Sequence, residues 1–243
     1  MNKDLLIISL ALNGYQLTYR KHLATHKRYA EEMGAEYLLI SKPFISKLGV
    51  ECCWLKLHAA RQALRLGYKN VLILDADAWV NEHSPDIREN IVAGKYIYMA
   101  KGYTQRFNSG VMLLNNSPAC LRFVDTIINN RIYEIPEEDS VGWGENGHVI
   151  HFAKHSSIVK ELDCVWNNTY KADINDFIKH RNHGPLRTSF MRKMLHKSLA
   201  MASRTFIRTT NKLTHNSTKR IPSSWFRQEL EMIIQAYPIL QQK

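Results

Sequence analysis

Apolar residues in this chain fall into short unbroken runs separated by stretches of helical spacing. Leu5–Leu10 is aliphatic except for Ser9 and reads as a buried strand. Gln16–Met33 is rich in His, Lys and Arg, stops at Gly34, and reads as a helix. Glu36–Ile40 reads as a second strand. Trp54–Leu66 has helical spacing (Leu55, Ala59, Leu66) and ends at Gly67, and Val71–Leu74 reads as a third strand. Strands separated by helices predict an α/β fold with a mainly parallel sheet. Its crossovers are right-handed, and ligands sit beyond the carboxyl ends of its strands. Tyr96–Ala100 and Val111–Leu114 read as further strands. Ser117–Arg131 reads as a helix with Ser117 as its cap and Pro118 at its first position. The loop 134–147 is acidic, then glycine-rich. Pro222–Lys243 reads as a closing helix capped by Ser223 or Ser224.

The third strand ends in Asp75-Ala76-Asp77. Two carboxylates at the end of a buried strand repel each other and lose hydration. A divalent cation removes that cost, because hard cations take carboxylate oxygens. The plainer alternative is a pair of acids capping the next turn. Asn13-Gly14-Tyr15 follows the first strand and reaches the same sheet edge. Two distant loops meeting there predict a nucleotide-like pocket.

Composition narrows the class. With 243 residues, 45% of them hydrophobic, the chain can bury a substantial core. No apolar run reaches the roughly 18 residues that span a bilayer. Lys3 and the apolar run after it faintly resemble a secretion signal, but no small-residue cleavage site follows, so a first strand is the better reading. Cys52, Cys53, Cys120 and Cys164 lack metal or disulfide spacing, which predicts free thiols in a reducing compartment. There the sequons at Asn167-Asn168-Thr169 and Asn216-Ser217-Thr218 have no consequence.

The net charge is +11, and Phe177–Gln228 holds 12 of the 33 Lys and Arg with no acid. The rest, with 21 basic against 22 acidic residues, is nearly neutral. This predicts a body over residues 1–187 and a basic helical region over 188–243. On a wheel of about 100° per residue, Met191, Leu195, Leu199, Ala202 and Phe206 share one face, with Lys193, Lys197, Arg204 and Arg208 opposite. Residues 187–213 are therefore expected to adsorb to an anionic membrane surface, at about 1 kcal/mol per basic residue. A helix packed on the body with a solvated basic face is the alternative. Sparse aromatics and no recognition motif argue against nucleic acid.

Four blocks in order sharpen the picture: Trp54-Leu55-Lys56-Leu57-His58, Leu72-Ile73-Leu74-Asp75-Ala76-Asp77-Ala78, Phe107-Asn108-Ser109-Gly110-Val111-Met112-Leu113-Leu114-Asn115 and Trp143-Gly144-Glu145-Asn146-Gly147. Together, over residues 1–185, they resemble GT-A-type glycosyltransferases. They are most similar to the retaining glycogenin and lipopolysaccharide galactosyl/glucosyltransferase families and the α-galactosyl/mannosyltransferase families. The resemblance implies a Rossmann-like GT-A fold. It also implies hexose transfer from a nucleotide sugar, a UDP-sugar foremost, to a glycan or lipid-linked acceptor in cell-surface polysaccharide or lipopolysaccharide synthesis. Such an enzyme would work in the cytoplasm, at the inner face of the cell membrane.

By this resemblance Asp75 and Asp77 bind Mn²⁺ or Mg²⁺, and an imidazole ligand favours Mn²⁺. The families supply that imidazole from His-x-x-Gly. Here the spacing departs from that pattern, with His180 four residues before Gly184 and His183 one before it; His180 is preferred because it follows the short strand-like Phe177-Ile178, and His183 is the competitor. The families' Lys-Pro-Trp is replaced by Pro185-Leu186-Arg187, so its diphosphate contacts do not carry over. Donor contacts are implied for Tyr15 (stacking on the base), Lys56, Asp75, Asn108 and Ser109. Glu145 and Asn146 would lie beneath the anomeric carbon, with Asn146 where the families carry Gln. Asp139 is the alternative acid on that loop, and Trp143 would stack on a sugar or close the core. An amide is a poor nucleophile, which favours a front-face route guided by the leaving diphosphate. Two other classes compete. One is a catalytically silent membrane-docking protein on the same fold. The other is a nucleotidyl or phosphoryl transferase, against which the missing glycine-rich loop after the first strand counts.

Overall fold

The computed structural model describes residues 3–142, 144–180 and 223–241. Strand β1 (Leu5–Leu10) lies between β2 (Glu36–Ile40) and β3 (Asn70–Asp75) and is parallel to both. The helices α2 (Arg20–Glu32) and α3 (Leu55–Arg65) make the two crossovers, as parallel strands require. Strand β6 (Phe107–Asn115) is antiparallel to β3 and to β5 (Ile97–Lys101), which it follows through a short turn. Strand β7 (Val159–Leu162) adds parallel to β5, giving the order β2-β1-β3-β6-β5-β7. The sheet is thus mainly parallel with one reversed strand. Leu74 pairs with Val111, so the start of β6 reaches past the end of β3 to the edge where Asp75 lies.

Both faces of the sheet are covered, which is why its strands read as continuous aliphatic runs. Leu6, Ile8, Val71, Ile73, Met112 and Leu114 pack under α3, α4 (Pro118–Asn129), α5 (Asn146–Ala153) and α6 (Ser223–Ala236). Leu5, Ile7, Leu72, Leu74, Val111 and Leu113 alternate to the other face, against Tyr29 and Ala30 of α2. Each such side chain contributes about 1.5–3 kcal/mol through burial.

Several elements differ from the sequence expectation. The helix expected over 16–33 breaks into α1 (Tyr15–Thr18) and α2, because the chain bends at Tyr19 to seat that ring against Leu23 and Ala76. A tight turn over Gly49–Trp54 leads into α3, which begins at Leu55. Ser117 does cap α4, its Oγ accepting from Cys120 N at 3.0 Å, and that helix ends at Asn129. The closing helix ends at Ala236, two residues before Pro238, which cannot continue it. Its Phe226 and Ile233 are buried in the core beside α3. The short strands β4 (Ala78–Val80) and β8 (Ile178–His180) pair antiparallel as a second, two-stranded sheet. His183, Trp143, the division at residue 187 and the expected basic helix all lie outside the described residues. Among the described residues no helix is long and apolar enough to cross a membrane.

Candidate active site

The two-stranded sheet assembles the acidic centre. β3 delivers Asp75, the chain turns through Ala76 and Asp77, and β4 runs back with Ala78 registered opposite His180 of β8. His180 Nε2 lies 3.1 Å from Asp77 Oδ1 and 4.0 Å from Asp75 Oδ2. One ligand atom from each of the three falls within 4.8 Å of the others, the one such cluster found among the described residues. Burial pushes the Asp77 carboxyl up, but the His180 charge and hydrogen bond outweigh it and hold the group at about 2. His180 is raised in return, Asp77 and then Asp75 overcoming its burial. Asp75 is pushed up by burial, with Glu145 and Asp77 crowding it against the opposing pull of Lys56 and His180.

The orientation of His180 is set from behind. Its Nδ1 lies 2.8 Å from Asn167 Oδ1, and Asn167 Nδ2 donates to both oxygens of Asn108, at 3.1 and 3.2 Å. With the Asn167 amide fixed by those two acceptors, its oxygen must face the imidazole, so Nδ1 bears the proton and Nε2 faces the acids. Asn108 Oδ1 in turn accepts from Gly110 N at 2.9 Å. Gly110 has no freedom to be anything larger, since a Cβ there would lie 2.1 Å from His180 Cε1. Sequence reading took Asn167 only as part of a sequon. Its partner is 13 positions away, and no local pattern announces the contact.

On the other side of Asp75, Lys56 is only 2% exposed. Its Nζ lies 2.6 Å from Asp75 Oδ1 and 2.8 Å from Glu145 Oε1. Those two carboxylates outweigh its burial and raise its pKa, so it is a fixed cation held by the protein's own acids. Glu145, buried but paired with Lys56, also accepts from Ser109 Oγ at 2.7 Å and is lowered on balance. Asn146 turns its Oδ1 to Ser109 N at 2.9 Å. Asp75, Asp77, His180, Lys56, Asn108, Ser109, Glu145 and Asn146 are thus brought together. Asp139 is not among them: its Oδ2 lies 2.7 Å from both His151 Nδ1 and Lys154 Nζ.

Tyr15 follows Asn13 and Gly14, both left-handed (φ 56° and 89°), and packs beside Ala76. A distant clamp holds this loop. Asn13 Oδ1 accepts from Ser46 N at 2.8 Å and Asn13 Nδ2 donates to Gly49 O at 3.0 Å. Ser46 Oγ and Lys47 N each donate to the buried Glu229 carboxylate of α6 at 2.5 Å. Tyr237 Oη accepts from Ser41 N and Lys42 N at 2.8 and 3.1 Å. Sequence reading missed this clamp as well, because its two ends are more than 180 residues apart.

The donor set suits a divalent cation. Two carboxylates and an imidazole whose second nitrogen is hydrogen-bonded are the usual ligand chemistry, and the crowding that raises Asp75 is what a bound cation relieves. No protein-family model matches the chain, and no curated protein matches it either. Solved structures do. A glycosyltransferase involved in glycosylation of the major capsid of PBCV-1 superposes with a TM-score of 0.59 at 16% identity, over 82% of this chain and 99% of that one. The galactosyltransferase LgtC, in complex with donor and acceptor sugar analogs, gives 0.52 at 11% identity over 91% and 99%. The glycosyltransferase GlyE of Streptococcus pneumoniae TIGR4 gives 0.50 at 15% identity over 90% of this chain and 66% of that one. With its sheet order, its second small sheet and this arrangement of acids, the chain has the GT-A fold shared by these glycosyltransferases.

Proposed function

We propose that the chain is a metal-dependent, retaining glycosyltransferase that moves a hexose from a nucleotide sugar, a UDP-sugar foremost, to a glycan or lipid-linked acceptor. The observation that carries this reading is the Asp75–Asp77–His180 cluster, one step from the buried Lys56–Glu145 pair. LgtC, of the same fold, is described with donor and acceptor sugar analogs, which supports a two-substrate site. Asp75, Asp77 and His180 would hold Mn²⁺ or Mg²⁺, which when bound supplies Lewis acidity toward the departing diphosphate. Asn167 keeps Nε2 of His180 available for that role, and Lys56 fixes the Asp75 carboxylate without consuming a ligand atom of Asp77. Tyr15 would flank the base, and Asn108 and Ser109 the sugar or diphosphate.

Retention needs a nucleophile or a front-face route. Glu145 is tied to Lys56 and Ser109, which weakens it as a nucleophile, and the Asn146 amide oxygen is engaged by Ser109 N–H. Both facts favour the front-face route, in which an oxygen of the leaving diphosphate takes the acceptor's proton. Glu145 would then accept hydrogen bonds from donor-sugar hydroxyls. Anionic membrane at the cytoplasmic inner face would be met by residues 187–213, in keeping with a lipid-linked acceptor in surface-glycan or lipopolysaccharide synthesis. Transfer assays with a panel of UDP- and GDP-sugars and Mn²⁺, with the product anomer read by NMR, test the reading. Retained configuration is expected, and an inverted anomer overturns the route. Replacing Lys193, Lys197, Arg204 and Arg208 together by Gln, which keeps the closing helix and its core contacts, is expected to abolish binding to anionic vesicles.

A further inference from the structure

Three large apolar side chains are exposed on the segments around the loop that follows β1: Leu17 at 62%, Phe44 at 49% and Val50 at 52%. The fold fastens those segments to one another. Asn13 N donates to Phe44 O at 2.9 Å, and Asn13 Nδ2 donates to Gly49 O, next to Val50, at 3.0 Å. Gln16, the neighbour of Leu17, donates through Nε2 to Ser41 O and Phe44 O at 3.1 Å each. Beneath them Glu229 holds Ser46 and Lys47. A surface whose backbone is pinned in this way loses little freedom when it binds.

The charges around the patch carry one sign. Segments 11–28 and 41–50 contain no Asp or Glu, and Arg20, Lys21, Lys42 and Lys47 are exposed. The neighbouring acids are engaged elsewhere. Glu51 accepts from Trp54 Nε1 and Gly144 N, Glu229 is buried in the clamp, and Glu31 and Glu32 lie at the far end of α2. Exposed apolar side chains in a basic field match an anionic bilayer, which offers hydrocarbon beneath a layer of negative headgroups. A nucleic acid would engage the charges and leave the apolar side chains in water. A two-fold dimer through the patch would set like charges against each other. The patch also belongs to the working edge of the sheet, since Tyr15 of the same loop packs beside Ala76, between Asp75 and Asp77.

We propose that this patch is a membrane-docking surface of the body itself, with Leu17, Phe44 and Val50 entering the headgroup region of an anionic leaflet and Arg20, Lys21, Lys42 and Lys47 meeting its phosphates. This goes beyond the function proposed above, in which residues 187–213 alone meet the membrane, and the docking step itself requires no glycosyl transfer. The two surfaces act together. The basic region supplies attraction, the patch supplies insertion, and neither holds the chain alone. Docking through the patch turns the edge that carries Asp75 and Asp77 toward the leaflet, where a lipid-linked acceptor would lie.

The test sediments the full chain with vesicles of phosphatidylglycerol and phosphatidylcholine in equal parts, and with vesicles of phosphatidylcholine alone. The parent is expected to bind the first and not the second. Leu17→Ser, Phe44→Ser and Val50→Ser together are expected to lower partitioning about a hundredfold. Lys21→Gln with Lys42→Gln is expected to lower it about tenfold. In Phe44→Trp, brominated acyl chains are expected to quench emission beyond the quenching seen in the parent, as an indole inserted in the leaflet requires. A parent that ignores anionic vesicles, a triple serine variant that binds like the parent, or bound Phe44→Trp with no added quenching overturns the proposal. Self-association in light scattering that the triple variant abolishes would assign the patch to a second copy and overturn it likewise. UDP binding with Mn²⁺, expected to be unchanged in the patch variants, reports the fold and the donor site in the same samples. Its absence in the parent would strike the glycosyltransferase reading and leave the docking result standing. Vesicle binding lost while UDP still binds would strike the docking alone.

Discussion

The acids at the end of β3 and the loop after β1 share one sheet edge, yet opposite means hold them in place. Asp75 and Asp77 come from a single strand-turn-strand, and their immediate supports, Lys56 and His180, are charged groups that touch them directly. The Asn13–Tyr15 loop is held differently. It is held by neutral hydrogen bonds to the 41–49 segment, which is itself held by the carboxylate and hydroxyl of the C-terminal helix and the turn beyond it. The first arrangement concentrates charge and is suited to binding a cation. The second spreads the work over many weak contacts and is suited to fixing a shape. Damage on the acidic side should therefore appear in metal affinity and chemistry, and damage on the loop side in stability and donor affinity.

The largest effect belongs to Asp77→Asn. It removes one of two carboxylates from the cluster and leaves His180 without its nearest charge. Transfer should fall by more than about a hundredfold, with loss of Mn²⁺ binding by calorimetry and little change in fold. Chelation should have the same effect and be reversed by adding Mn²⁺. Full activity in chelator would break the assignment of the acidic side. Asn167→Ala comes next, removing the acceptor that holds Nδ1 of His180 and the donor to Asn108. Metal affinity should drop about 10- to 100-fold. Asn167→Asp, which keeps the oxygen toward His180, should recover part of that loss, an outcome that a merely structural role for Asn167 would not give.

These two sides were unequally legible in the sequence. The strands β1, β2 and β3, α3 and α4 stood out because a sheet buried on both faces writes continuous aliphatic runs and its helices write a periodic stripe. Asp75, Asp77 and Lys56 stood out because motif residues lie within a few positions of one another. The β4, β7 and β8 strands have three or four residues each, too few to show a period, so the pairing that delivers His180 opposite Ala78 was invisible. The same holds for Asn167, Gly110 and Glu229, whose significance lies in one distant partner. The amide of Asn146 was expected beneath a sugar; that its oxygen accepts from the backbone N–H of Ser109 was not legible in the sequence.

Glu229 sharpens the comparison from the loop side. Its carboxylate, raised by burial against the hydrogen bonds of Ser46 and the backbone at 47–48, is the anchor of the clamp. Glu229→Gln keeps the shape but turns an N–H toward groups that are themselves donors. It should cost about 1–3 kcal/mol, read as a lower midpoint in urea. Donor KM should rise several-fold while Mn²⁺ affinity stays at the parent value. An equal loss of metal affinity would show that the two sides are not separable.

The smallest effect lies where the sides meet. His26 is fully buried, with Nδ1 2.8 Å from Ser9 Oγ of β1 and Nε2 2.8 Å from the carbonyl of Ala78, next to Asp77. Burial depresses its pKa to about 4, against the opposing pull of the Ala78 carbonyl. In the unfolded chain the group titrates near 6.5, so below that pH the unfolded state binds more protons and the folded state is penalised. Stability should therefore fall as pH drops from about 6.5 toward 4, by about 1 kcal/mol at pH 5.5 from this residue alone. His58, depressed to about 3 by burial and the neighbouring Arg61, adds a similar slope, so the parent chain alone cannot isolate His26. His26→Gln can, because it keeps a donor and an acceptor and removes only the titration. Measured in chelator, where metal linkage is absent, the stability gap between parent and His26→Gln should close as the pH falls. A gap that stays constant from pH 7 to 5 would mean that His26 titrates alike in both states. The bridge between the two sides would then not be the neutral imidazole that its burial requires.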